Sequence, residues 1–157
     1  MKFINASVEW WPQKSLFQHI ASVGRICYKA KGKQPAEGLT EEETEAFILK
    51  RDQERCKGFW ESDHRSMYRH GTTYFFVPNE KLLHTIHVWS LMVASPYIDY
   101  AVKGSKVWIS TNSQFLGEHK DLLQMLSRYI VTEEVFIAKA QKYHCDDVFF
   151  LLRMTLV

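Results

Sequence analysis

Thr40 and Glu43 constrain this chain more tightly than any other pair of its residues. A hydroxyl just before a helix and a carboxylate three residues on each satisfy a backbone N–H of the first turn, so Thr40-Glu41-Glu42-Glu43 reads as a capping box. The acidic run Glu41 to Glu43 also suits the positive end of the helix dipole. Ala46, Phe47, Ile48, Leu49 and Cys56 supply the apolar side of the helix that follows. Lys50, Arg51, Asp52, Glu54 and Arg55 read as its solvated face, and Gly58 as its stop. Beyond it Thr72 to Val77 alternates, is rich in β-formers and is ended by Pro78 and Asn79, which is the pattern of a strand. A capped helix followed by a strand puts the chain among the mixed α and β classes.

Other segments extend that reading. Phe3 to Trp11 is β-branched and aromatic, and Pro12 ends it as a short first strand. Residues 13 to 29 follow as a helix, with Leu16, Phe17, Ile20, Val23, Ile26 and Cys27 recurring at threes and fours on a core face. Lys29 to Gly38 has no period and reads as an exposed loop. Lys81 to Val93 favours strand, with helix as the alternative. His84 and His87 would share a face only on the helix, and no carboxylate or thiol at matching spacing supports a metal site there. Val107 to Thr111 is a short strand, Gln114 to Ile130 a helix, and Thr132 opens a last helix to Tyr143 with Glu133 and Glu134 in its first turn. Val148 to Val157 reads as a strand so apolar that it expects partners on both sides and a connection onward, as if the chain were cut short. The sum is a single α+β domain, a mostly antiparallel sheet with flanking helices.

Composition narrows the function classes. At 157 residues one core suffices, since a chain of this size buries roughly 70% of the surface it exposes unfolded. A formal net charge of +2, from 20 Lys and Arg against 18 Asp and Glu, is too small to demand a nucleic-acid partner. No apolar run approaches the roughly 18 residues of a membrane span. Three cysteines, odd in number and without paired metal spacing, and a start lacking a signal pattern point to a reducing, cytoplasmic compartment.

The polar segment His64-Arg65-Ser66-Met67-Tyr68-Arg69-His70-Gly71-Thr72 lies between the charged helix and the strand. Its histidines, arginines and serine hydroxyl offer several donors to an anionic, planar ligand. A solvated basic loop would carry the same residues.

Together Arg25-Ile26-Cys27-Tyr28-Lys29, the segment from His64 to Thr72, and Ile109-Ser110-Thr111-Asn112 resemble the N-terminal half of flavin-dependent thymidylate synthases, in particular the branch with the longer insert. Members carry an A-R-x-C-Y-K helix end, then H-x-S-x-x-E-H leading into a strand, then an I-T-T-N-like strand, and then a strand entering the signature R-H-R-x-x-S. This chain departs in having Arg65 where Glu or Thr is frequent, Arg69 where Glu precedes the histidine, and no R-H-R-x-x-S. The resemblance implies reductive methylation of dUMP to dTMP, with methylenetetrahydrofolate as carbon donor and reduced FAD, replenished by NADPH, as hydride source. It implies that Ser66 hydrogen-bonds the flavin and His64 sits beside its rings, in a homotetramer whose sites combine residues of several subunits. It carries over no catalytic residue. The rival expectation is a non-catalytic α+β domain that meets an anionic ligand or partner through His64, Arg65, Arg69 and His70, or a degenerate remnant.

Overall fold

The computed structural model describes residue 13, residues 15–78 and residues 95–152. Helix α1 (Leu16–Cys27) leads through a loop to α2 (Glu41–Glu61), and a 3₁₀ helix (Arg65–His70) feeds strand β1 (Thr72–Val77). Strands β2 (Ile98–Lys103) and β3 (Lys106–Asn112) form a hairpin, followed by α3 (Ser113–Glu118), α4 (Lys120–Leu126), a two-residue strand β4 (Ile130–Val131), α5 (Glu133–Lys142) and a second 3₁₀ helix (Asp146–Leu151). The expected strand at Phe3 to Trp11 and the Lys81 to Val93 segment with His84 and His87 lie outside the described residues.

The four strands make one antiparallel sheet in the order β2-β3-β1-β4, the α+β arrangement the sequence predicts. β1 lies centrally against β3, with Phe75 opposite Ile109 and Thr72 opposite Asn112. Because side chains alternate along a strand, each face of the sheet builds a separate core. Phe75, Val77, Ile98, Val107 and Ile109 pack on Phe115 and Leu116 of α3 and on Leu122 and Leu126 of α4. Tyr74, Phe76, Ala101 and Trp108 pack on Phe136 and Ala140 of α5 and on Cys145, Val148 and Leu151. A third cluster joins α1 to α2 and the first 3₁₀ helix through Ile20, Ala21, Val23, Cys56, Phe59 and Met67.

The capping box forms as its chemistry requires. Thr40 N–H donates to the Glu43 carboxylate at 2.9 Å, and Glu43 N–H donates to the Thr40 hydroxyl at 3.2 Å. Five expectations need correction. Gly58 does not stop α2, which runs on to Glu61 with Ser62 as its C-cap. Ile26 and Cys27 emerge into solvent at the end of α1 rather than joining its core face. Asp52 is not part of a solvated face: at 1% exposure it accepts from Arg25 Nη1 at 2.9 Å and Arg51 Nε at 3.0 Å, which ties α2 to α1. The single helix from Gln114 to Ile130 is broken at His119, whose φ of −122° and ψ of 68° are not helical. Its ring stacks on Phe115, and its Nδ1 lies 2.8 Å from the Phe115 carbonyl, which also accepts the His119 backbone N–H at 3.0 Å, so the ring is held back against the end of α3. Val148 to Leu151, finally, is 3₁₀ helix and not strand. Val148 and Leu151 are buried three residues apart while Phe149 and Phe150 are exposed, a period of three that suits this helix.

Strand β2 is absent from the sequence reading. Gly104, at φ +58°, and Ser105 make the two-residue turn that pairs Lys103 with Lys106.

Candidate functional site

The 3₁₀ helix between His64 and Gly71 is fixed from three sides. Met67 is its one buried side chain, packed with Ile20 and Phe59. The Gly71 carbonyl accepts both the backbone N–H of Ser113 at 2.9 Å and its hydroxyl at 3.1 Å, which fastens the segment to the start of α3. A Cβ at Gly71 would stand 2.6 Å from Leu16 Cδ1 and 2.7 Å from Ile20 Cδ1, so only glycine lets α1 lie this close. Gln13 closes the frame: its amide nitrogen donates to the Thr72 carbonyl at 2.6 Å, and its oxygen accepts the Thr72 N–H at 2.8 Å.

Three segments distant in sequence therefore meet. The end of α1 contributes Tyr28, whose ring stacks on His64 with centroids 5.7 Å apart and planes 21° apart. Phe59 of α2 stacks on the same Tyr28 at 5.9 Å and 27°. The end of β3 arrives by pairing Asn112 with Thr72 and Thr111 with Thr73. A column Phe59, Tyr28, His64 results, with His64 exposed at its end. Ser66, two residues on, is also exposed, and its hydroxyl has no hydrogen-bond partner among the described residues.

The remaining polar residues of the segment disperse. Arg65 lies over the Trp60 ring at 5.0 Å and pairs at 3.4 Å with Asp63. Arg69 Nε donates to Gln114 Oε1 at 2.7 Å. His70 is half-buried, and burial lowers its pKa; the same effect, reinforced by His70, lowers that of His19 on α1. Burial pushes the Tyr68 hydroxyl up to about 12, and its ring meets Trp60 edge-on. The four basic side chains thus have four different sets of partners, and no joint anion clamp forms. Among the described residues no group of His, Cys, Asp and Glu could hold a metal ion.

Tyr28 is the site residue that residue-by-residue reading misses. It belongs to the Arg25 to Lys29 segment, but nothing local to it shows that it would pack on an imidazole from beyond α2. No family of known proteins, no curated protein and no solved structure matches the chain. No described helix is long and apolar enough to cross a membrane.

Proposed function

We propose that this chain is a flavin-dependent thymidylate synthase-like protein that contributes the flavin-facing part of a site for reductive methylation of dUMP to dTMP. The observation that carries the reading is the stacked column ending at exposed His64, with the unpartnered Ser66 hydroxyl beside it. A flat tricyclic ring extends such a column by offset stacking, and its polar edge needs a neutral donor or acceptor, which a serine hydroxyl supplies in either sense. The three segments that carry the family resemblance are also those that the fold gathers around this turn.

FAD, once bound, supplies the hydride chemistry, with NADPH and methylenetetrahydrofolate as co-substrates. The chain's own task is to bind and orient. His64 presents a ring face held by Tyr28, and Ser66 fixes one polar edge. Arg69 does not take the part of the family's glutamate, because it is engaged by Gln114. His64 and Ser66 form an exposed platform rather than an enclosed slot, which suits a homotetramer in which a neighbouring subunit closes the site. Cys56 and Cys145 are buried free thiols and Cys27 an exposed one, as a reducing cytoplasm allows.

Absorbance near 450 nm in the purified protein, or after adding FAD, tests the reading. Bound oxidised flavin is expected, with Ser66→Ala weakening FAD by about 1 kcal/mol, the scale of one neutral hydrogen bond. A protein that stays colourless and takes up no FAD would overturn it, in favour of a non-catalytic domain.

A further inference from the structure

A cavity of about 370 Å³ opens between the first 3₁₀ helix, α3 and the residues leading into β2, and neither His64 nor Ser66 lines it. Its size lies within the range of small-molecule sites. One wall is aromatic. Phe115 carries the His119 ring stacked at 4.1 Å and the Tyr97 ring at 6.0 Å.

Two polar side chains that line it have donors to spare. Asn112 is 6% exposed, and its Oδ1 accepts the Phe115 N–H at 2.8 Å as the N-cap of α3. That bond fixes which end of the carboxamide is oxygen. The NH2 end therefore faces elsewhere, has no partner among the described residues, and belongs to a side chain that lines the cavity. The amide nitrogen can donate to an acceptor held in the cavity. Arg69 is the second donor. Its Nε is held by Gln114 Oε1, while Gln114 Nε2 donates to the Glu118 carboxylate at 2.9 Å. This relay anchors the guanidinium and leaves both terminal nitrogens without a partner among the described residues.

His119 completes the aromatic wall. A backbone carbonyl can only accept, so the His119 Nδ1 facing the Phe115 oxygen at 2.8 Å carries a proton, which fixes the ring against Phe115.

We propose that this cavity binds a small aromatic carboxylate, with the carboxylate taken by the Arg69 terminal nitrogens and the Asn112 amide and the ring laid against Tyr97 and Phe115. One guanidinium, with the Glu118 carboxylate at the rim, matches a single negative charge; a phosphate dianion would be left under-compensated. The planar fork of Arg69 also matches two carboxylate oxygens at once.

Titration of the full ¹⁵N-labelled chain with indole-3-carboxylate, with indole-3-carboxamide in parallel, tests this. Saturable shifts of the Asn112 side-chain NH2 and the Arg69 Nε–H resonances are expected with the carboxylate, and binding about tenfold weaker with the carboxamide. Arg69→Gln should weaken the carboxylate about tenfold, whereas Glu118→Gln, which removes a like charge, should tighten it about threefold. Asn112→Asp keeps the cap acceptor for Phe115 N–H but replaces the donor with a negative charge, so binding should be lost while α3 persists. An apolar crevice that merely admits an indole ring would bind both probes alike and ignore both charge changes. That result, or no saturable shift up to millimolar carboxylate, overturns the proposal. Arg69 and Glu118 are exposed, so their variants decide the matter even where Asn112→Asp disturbs the fold.

Discussion

The sheet and the α1–α2 layer are held together by different physics. The sheet is covered on both faces, and its largest side chains, Trp108, Tyr74 and Phe75, are at most 2% exposed. Ladder hydrogen bonds and two apolar cores act over its whole area. The helical layer has a smaller apolar cluster and relies on close backbone approach at Gly71 and on one buried carboxylate between two arginines. Rigidity comes from the first region; the second presents His64 and Ser66.

The sharpest way to break this contrast is to attack each region at its strongest point. Trp108→Ala empties the middle of the second sheet face and is expected to cost ~3–5 kcal/mol. The loss should appear in urea unfolding as a lower midpoint for the whole molecule. Asp52→Ala leaves two guanidinium groups without their shared partner. Both retain partial contact with water, with side-chain exposures of 23% and 18%, so the cost falls below that of a fully buried pair, at about 2–3 kcal/mol. Hydrogen exchange should quicken in α1 and α2 while β1 and β3 keep their protection. Equal loss of protection in all four elements would show that the two regions unfold as one.

Gly71→Ala probes the seam between them. The added methyl meets the ends of Leu16 and Ile20, which can shift in part, so about 1–3 kcal/mol is expected. Because the same residue positions α1 against the 3₁₀ helix, FAD affinity should fall along with stability. A stability loss with unchanged affinity would detach Tyr28 from the proposed flavin site.

The contrast also explains what the sequence reveals. Local chemistry is legible: the Thr40 box forms, the Thr72 to Val77 strand has the predicted limits, and Thr132 caps α5 through its hydroxyl on Val135 N–H at 3.3 Å. Failures occur where a partner far along the chain decides. Asp52 looks solvated on its own helix, and only Arg25, 27 residues earlier, makes it a core residue. Val148 to Leu151 is apolar enough for a strand, but the sheet face it covers selects every third residue. Gly104-Ser105 is a local hairpin signal, diluted because Lys103 and Lys106 flank it and β2 exposes Asp99, Val102 and Lys103. The site divides in the same way. His64 and Ser66 stand out in the sequence, whereas Tyr28 beneath His64, and Asn112 and Arg69 on one cavity, depend on the fold.

Acid should separate the two regions more gently than any substitution, and with opposite sign. In the helical layer, burial lowers the pKa of His19 and His70 from the ordinary 6.5, and the nearby His70 lowers that of His19 further. The unfolded chain therefore takes up protons first as pH falls below about 6.5, so stability present above that value declines down through the folded-state values. In the sheet region, burial raises the pKa of Glu133 above 4.5, opposed by the Tyr74 hydroxyl that donates to its Oε2 at 3.0 Å and reinforced by neighbouring Glu134. Here the folded state takes up the proton first, so the strain of a desolvated carboxylate is relieved as pH falls toward 4.5. Between pH 6.5 and 4.5, amide exchange corrected for its intrinsic pH dependence should show α1 losing protection before β1 and α5 do. His70→Gln should flatten the α1 trend without altering the other. Loss of protection at one common pH, with that variant indistinguishable from the parent, would mean that neither histidine governs the layer carrying the site.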